Sequence, residues 1–512
     1  MKKRLFAQNA AILTGTSLFL KVIGIFFRIW LSNRIGAEGM GLHQLVFSIY
    51  VLGSTLATTG LSTAVTRLVT EAEATGNYAD VKRIMRRAAL LTIVLSVAST
   101  ALFFAAAPLI GSHWIGDTRA IPALRILTIG FPFMGLSATF RGYFFARRRA
   151  ELPSFAQIFE QVVRIAATVL LFTATPPTLS SFCAAVMLAD VISEAFSCGL
   201  SAVLFLRERN RKSAERTAFR PPMRVTKRLL QIAAPITAGR YLNTILRTIE
   251  NIQVPKSLAA FSGSRELGLA AFGNLKGMAM PLIFFPASFL TAFSTLLIPE
   301  MSEALALGQR LRVRRVADTT IRITLSAAWL CAGAFWLLAY PLGEWLYGSK
   351  EVGFYIQTLA PLVPLMYLEH VVDGILKGLN QQTRSLTYSL IDSALRILLI
   401  VTLVPHFGMR GFLYIMVISN LLTCLLNTSR LCRVAHLQAD LGKWVLRPLG
   451  CAAIAVAVGR FLLTLPAVRA LPILAATTIG GASFLLVYAA TLRCSHILSP
   501  ADFTIKARRR AV

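Results

Sequence analysis

The stretch Leu20–Leu31, LKVIGIFFRIWL, reads as apolar helix apart from Lys21 and Arg28. Seven residues separate the two cations, close to two helical turns, so they share one face. In a membrane that face cannot meet lipid, because a mid-bilayer Arg or Lys costs about 2.5–3.5 kcal/mol even on the lenient insertion scale. The rest of the chain makes a membrane the expected setting. Of its 512 residues 55% are hydrophobic and only 15% charged, and the apolar residues come in runs of about 20 divided by short basic loops. The opening MKKR resembles the start of a signal peptide. Lys21 and Arg28 interrupt the apolar region, however, and no small-residue cleavage site ends it, so a retained first helix is expected.

Apolar runs predict fourteen transmembrane helices near 10–32, 41–64, 88–110, 121–146, 153–174, 180–206, 227–251, 268–298, 317–340, 354–378, 386–405, 410–432, 446–465 and 470–491. An even count puts both termini on one side, and the basic residues test this independently. On that side fall 35 of the 53 Lys and Arg, against 7 on the other and 11 inside apolar runs. Both termini are therefore expected in the cytoplasm. The same distribution accounts for the net charge of +30 as a basic surface beside anionic membrane lipids, which removes the reason to invoke a nucleic-acid partner.

The longest basic loop, RERNRKSAERTAFRPPMRVTKR from Arg207 to Arg228, separates two sets of six helices. Between the fourth–fifth and tenth–eleventh helices, residues match at an offset of 232 without a gap: Pro132/Pro364, Met134/Met366, Leu136/Leu368, Gly142/Gly374, Ile158/Ile390, Glu160/Asp392 and Arg164/Arg396. A proline, a glycine and an acid–arginine pair in one register imply duplication. Since six is even, both copies enter from the same side, a parallel repeat. The expected organisation is an all-α polytopic protein with a six-helix lobe over 1–206, a basic cytoplasmic linker over 207–226, and a second lobe over 227–432. Residues 433–512 add helices 13 and 14 and a basic tail.

The opening KVIGIFFRIWLSNRIGAEGMGLHQL (21–45) and the later FGNLKGMAMPL (272–282) resemble the polysaccharide-type transporters of the multidrug, oligosaccharidyl-lipid and polysaccharide exporter superfamily. The likeness is greatest to its stage V sporulation protein B group, near the lipid II flippase branch. It extends over essentially the whole chain. The resemblance implies two six-helix lobes around a cavity, alternating access in the bacterial cytoplasmic membrane, and movement of a lipid-linked sugar to the outer leaflet. In the flippase branch the first helix carries a basic residue, a glycine and an arginine lining the cavity, matched here by Lys21, Gly24 and Arg28 with one residue of spacing changed. An aspartate follows that arginine in the branch, where this chain has Ile29. The branch also places an arginine five residues before a proline in helix 8, as Lys276 precedes Pro281.

Read from chemistry, cavity cations need an anion, and the pyrophosphate of a polyprenyl-linked glycan supplies one. Arg can hold phosphate through two parallel hydrogen bonds and Lys as a point charge. Helix 7 repeats the pattern with Arg240 and Arg247, also seven apart, and Glu250 beyond. The plainer reading is that these cations pair with acids or snorkel to headgroups. Glu160 with Arg164 and Asp392 with Arg396 are acid-before-base pairs at i, i+4 and read as structural. Asp190 with Glu194, and Glu369 with Asp373, place like charges at that spacing and are candidates for binding a coupling ion. His370 points to another face and makes a weak relay.

The seven cysteines show no metal-ligand spacing, and no Walker A, GxSxG or HExxH sequence is present, so neither a cofactor nor an enzyme activity is expected. A monomeric transporter driven by an ion gradient, membrane potential or substrate consumption fits best. A cation-coupled drug exporter should carry an acidic cavity, whereas helices 1, 7 and 8 hold five cations and the single acid Glu250. A non-transporting scaffold for cell-wall enzymes would have no use for desolvated cations.

Overall fold

The computed structural model describes residues 2–58, 60–176, 178–211, 225–469 and 472–495. Most of the predicted linker (212–224) and the basic tail (496–512) lie outside the described residues. Those described form helices and no strand, the architecture that satisfies backbone hydrogen bonds within each segment when lipid offers none. The chain is a multi-pass membrane protein by length and apolarity. Among the described residues ten helices are long and apolar enough to cross a bilayer, or eleven if the pair Ala120–Thr128 and Phe131–Ala146, bent by 42°, is one span. Helical hydrogen bonding runs through two tight breaks, which lowers this count below fourteen. Ile12–Ala74 is broken at Gly36 (φ 70°, ψ −176°) and Gln382–Ala435 at Gly408 (φ 58°, ψ −140°), conformations open to glycine. Val225–Ser262 is 38 residues long but is not among the apolar spans, since Arg240, Arg247 and Glu250 interrupt it.

Packing divides the chain into two compact units, Met1–Gly273 and Asn274–Val512. The boundary falls inside FGNLKGMAMPL rather than at 207–226. The reason lies in Val225–Ser262, whose Val225, Leu229 and Ala233 enter a first-unit core with Leu61, Val65, Leu68, Ile84 and Tyr143. The segment after Gly36 also lies close against Arg265–Phe272. A Cβ at Gly41 would stand 2.2 Å from the Leu269 carbonyl oxygen, and one at Gly273 would stand 1.9 Å from that of Ala37. In lipid, cohesion of this kind comes from close packing and interhelical hydrogen bonds, because lipid tails are as apolar as leucine.

The second unit has its core on Met301, Ile321, Val371, Ile375, Leu376 and Leu431. Its last two long helices, Arg447–Thr464 and Ile473–Cys494, bring Ala455 and Phe484 against Trp329 of Arg310–Tyr347, and the Tyr488 hydroxyl donates to the Ser326 carbonyl at 2.7 Å. The offset of 232 extends beyond the sequence matches. Helix Phe131–Ala146 corresponds to Val363–Gly378, each with proline in its first turn. Left-handed turns at Gly76, Gly116 and Arg148 recur at Gly308, Gly348 and Asn380. Gly142 packs on Ser62, and Gly374 on Ser294, the serine 232 residues later.

Candidate functional site

Lys21 and Arg28 lie on the helix before the Gly36 break, Lys21 exposed and Arg28 half-buried. Aromatic stacking fixes this segment. Trp30 stacks on Phe27 at 5.9 Å and on Phe172 of Glu151–Ala174 at 5.6 Å, and Arg34 lies over Trp30 at 5.9 Å. Beyond the break the buried His43 ring stacks on Phe47, and His43 Nδ1 and Gln44 Nε2 have no hydrogen-bond partner among the described residues.

Helix Val225–Ser262 is fastened to the segment after Gly36 by Asn251, whose Nδ2 donates to Ser48 Oγ at 2.9 Å, and by Thr248, whose hydroxyl donates to the Ser48 carbonyl at 3.3 Å. Arg240 and Arg247 are exposed, while Glu250 is 4% exposed. Arg240 lines a cleft of about 620 Å³ with the hydroxyl residues Thr58, Ser62, Thr63, Thr66 and Thr70. Among the described residues, Lys21, Arg240 and Arg247 have no carboxylate at ion-pair distance. The structure thus groups four of the five predicted cations in the first unit. Lys276 belongs to the second, on the π-helical turn Gly273–Ala279, with its ammonium 6.0 Å from the Phe412 ring centre. Widened helical turns of this kind frequently occur at functional positions.

The first internal pair reaches beyond its own helix. Arg164 meets Glu160 at 2.7 Å and also Asp190 at 2.7 Å, the latter too bent for a hydrogen bond. Asp190 (9% exposed) therefore belongs to Arg164's surroundings, and Glu194 (8% exposed) lies one turn on. In the second unit Asp392 and Arg396 stand 4.0 Å apart. Asp373 is ion-paired with Lys377 and accepts from Ser385, both at 2.5 Å, which answers the repulsion expected beside Glu369. Glu369 lies near Thr423. All seven cysteines are free, and most are buried.

Sequence reasoning missed a charged cluster that begins two residues after the Gly36 break. Arg119 joins Glu38 at 2.6 Å and Asp117 at 2.8 Å, and Arg265 donates to the Ile115 carbonyl at 2.6 Å. Burial would raise the Asp117 carboxyl, but hydrogen bonds from Arg119 outweigh it and hold the group below the usual carboxylate range. The hydrogen bond to Asp117 raises the Arg119 guanidinium in turn. Residues 81 apart in sequence form this contact, so no local motif could announce it.

Residues 6–305 match the family described as polysaccharide biosynthesis protein. The chain is 26% identical over 451 residues to stage V sporulation protein B of Bacillus subtilis (strain 168), covering 87% of each. It is 22% identical over 423 residues to the lipid II flippase MurJ of the same organism, covering 78% of this chain and 77% of that one. Among solved structures, a lipid II flippase MurJ in an inward closed conformation superposes with a TM-score of 0.71 at 13% identity, covering 94% of this chain and 99% of that chain, which establishes a shared fold.

Proposed function

We propose that this chain, which belongs to the polysaccharide biosynthesis protein family, is a flippase. Its substrate is a polyprenyl-pyrophosphate-linked oligosaccharide, a peptidoglycan precursor such as lipid II or a related cell-wall unit. It carries this from the cytoplasmic to the outer leaflet of a bacterial cytoplasmic membrane by alternating access. One observation supports this above the others: Lys21, Arg240 and Arg247 lie on two helices of one unit with no described carboxylate at ion-pair distance. Cations kept without an internal counter-charge suit an anionic ligand that arrives and leaves. Similarity to a lipid II flippase and to a sporulation protein favours a lipid-linked glycan as that ligand.

In this proposal Arg28 shares the Lys21 face, and Lys276 contacts the same pyrophosphate. Fourteen spans with cytoplasmic termini, lobes over 1–206 and 227–432, appended helices over 433–512 and a monomeric state complete it. Anionic lipids meet the basic loops, and the coupling ion is sought among Asp190, Glu194, Glu250, Glu369 and Asp373.

The test is flipping of a fluorescent polyprenyl-pyrophosphate sugar in proteoliposomes, with melting temperature measured on the same variants. Each charge-assisted phosphate contact is worth about 1.5–3 kcal/mol, so one loss weakens substrate binding about ten-fold to a hundred-fold. Arg28→Lys should retain partial flipping, while Arg28→Glu and Lys276→Glu should abolish it with the fold intact. Full flipping by both Glu variants refutes the anion cavity. Uptake of cationic drugs by the wild type, without flipping, would instead favour the exporter.

A further inference from the structure

The first unit gathers three carboxylates around one guanidinium, two of them buried and Glu160 half-buried. Glu160 and Asp190 each approach Arg164 at 2.7 Å, on Nη2 and Nε. Its remaining nitrogen, Nη1, makes only a 3.3 Å hydrogen bond to Gln161. The third carboxylate, Glu194, is 8% exposed and has neither an ion-pair partner nor a hydrogen bond among the described residues. Burying an ionised carboxylate without partners costs several kcal/mol, and a group so placed takes up a counter-charge or a proton. The other acids considered for coupling are placed differently: Asp190 is held by Arg164, and Asp373 by Lys377 and Ser385.

The elements packed around Glu194 leave it unmatched. Its own helix, Leu179–Arg211, adds the like charge of Asp190 and the buried Cys198 thiol. From Glu151–Ala174 come Glu160 and Arg164, and from Phe131–Ala146 comes Arg141, which reaches it only at a distance. Arg125, the charged residue of Ala120–Thr128, lies over Phe104 at 5.3 Å. From the segment after Gly36, Tyr50 donates to Met134 Sδ at 3.3 Å, and the His43 ring, near Arg28 and Arg164, stacks on Phe47. Among the described residues no group of three or more His, Cys, Asp or Glu is arranged to hold a metal ion.

We propose that Glu194 is a proton-binding site, held as the neutral acid in this packing, and that its deprotonation is coupled to the conformational change of transport. The step is Glu194–COO⁻ + H⁺ ⇌ Glu194–COOH, with no other bond made or broken. On losing the proton, the carboxylate competes with Gln161 for Arg164 Nη1 and draws Leu179–Arg211 toward Glu151–Ala174. That the proton is a coupling ion rests on the transporter reading above; that Glu194 binds one does not.

The full chain in liposomes is titrated from about pH 5 to about pH 9 while infrared spectroscopy follows the carbonyl stretch of protonated carboxylic acids. Wild type should show a band that disappears on alkalinisation. Glu194→Gln, a neutral isostere, should melt like wild type and lack the band, and Asp190→Asn should keep it. Should Glu194→Gln fail to fold, Glu194→Asp must show the band at a shifted frequency. A wild type without the band, or a band that survives in Glu194→Gln, overturns the proposal. Flipping should then respond to an imposed proton gradient in wild type and not in Glu194→Gln. Arg28→Glu separates the two readings: it should lose flipping and keep the band.

Discussion

Arg164 and Arg396 occupy equivalent positions 232 residues apart, each one turn after an acid, yet their surroundings have diverged. Arg164 is gripped at 2.7 Å by Glu160 and by Asp190, whereas Arg396 stands 4.0 Å from Asp392. The additional acids come from different helices. In the first unit Asp190 and Glu194 lie on Leu179–Arg211, and their counterparts at the same offset are Leu422 and Leu426. In the second unit Glu369 lies on Val363–Gly378, and its counterpart is Ser137. Turns and glycine contacts survived duplication because backbone geometry admits few substitutes, while charge inside each unit was free to be reassigned.

Removing the arginines should expose this difference most. Arg164→Leu takes the counter-charge at 2.7 Å from the buried Asp190 and the half-buried Glu160 and should cost about 3–5 kcal/mol, and Arg396→Leu is its comparison. Thermal melts in detergent compare them, and equal losses would erase the distinction. A charge exchange sharpens it. Asp392→Arg with Arg396→Asp should recover most of the single-mutant loss, but Glu160→Arg with Arg164→Glu should recover little, because the new Glu faces Asp190.

Glycine contacts supply a smaller effect. A Cβ at Gly142 would stand 2.5 Å from the Ser62 carbonyl oxygen, which is backbone, whereas one at Gly374 would meet Ser294 Oγ, a side chain able to rotate, at 1.8 Å. Gly142→Ala should therefore cost about 1–3 kcal/mol and Gly374→Ala less. The reverse order in melting temperature would show that the helix pairs do not pack alike.

The smallest expected effect is at the helix starts. Asp117 accepts from the Arg119 amide at 2.9 Å, and at the equivalent position Ser349 caps Lys350–Leu359. Loss of the Asp117 contact to the Arg119 amide, or of the Ser349 cap, should cost about 1 kcal/mol. Only the first should depend on pH. Since the folded Asp117 carboxyl sits below its usual range, its contribution is complete above the ordinary Asp pKa of about 4 and fades as pH falls through the lower folded value. Asp117→Asn should flatten that acid limb of a stability titration, and Ser349→Ala should leave it unchanged.

The apolar runs, the basic loops and the 232 offset were legible because length, hydropathy and spacing are local properties of the chain. The packing boundary at Gly273 was not, because Leu229 and Ala233 join Leu61 and Leu68 from about 160 residues away. At the site, the shared face of Lys21 and Arg28 follows from helical period alone. That Asp190 would leave Glu194 for Arg164 depended on how two helices meet, which i, i+4 spacing does not contain.

The place of Val225, Leu229 and Ala233 in that core also bears on biosynthesis. When the sixth predicted helix emerges from the ribosome, the surface formed by Leu61, Val65 and Leu68 still lacks its cover. It stays incomplete while the basic loop 207–226 is made, a wait of a few seconds at about 5–20 residues per second. A nascent chain arrested near Arg211 should accordingly be held by the insertion machinery or by chaperones, and should resist extraction as a finished bundle only once the residues through about 240 have followed.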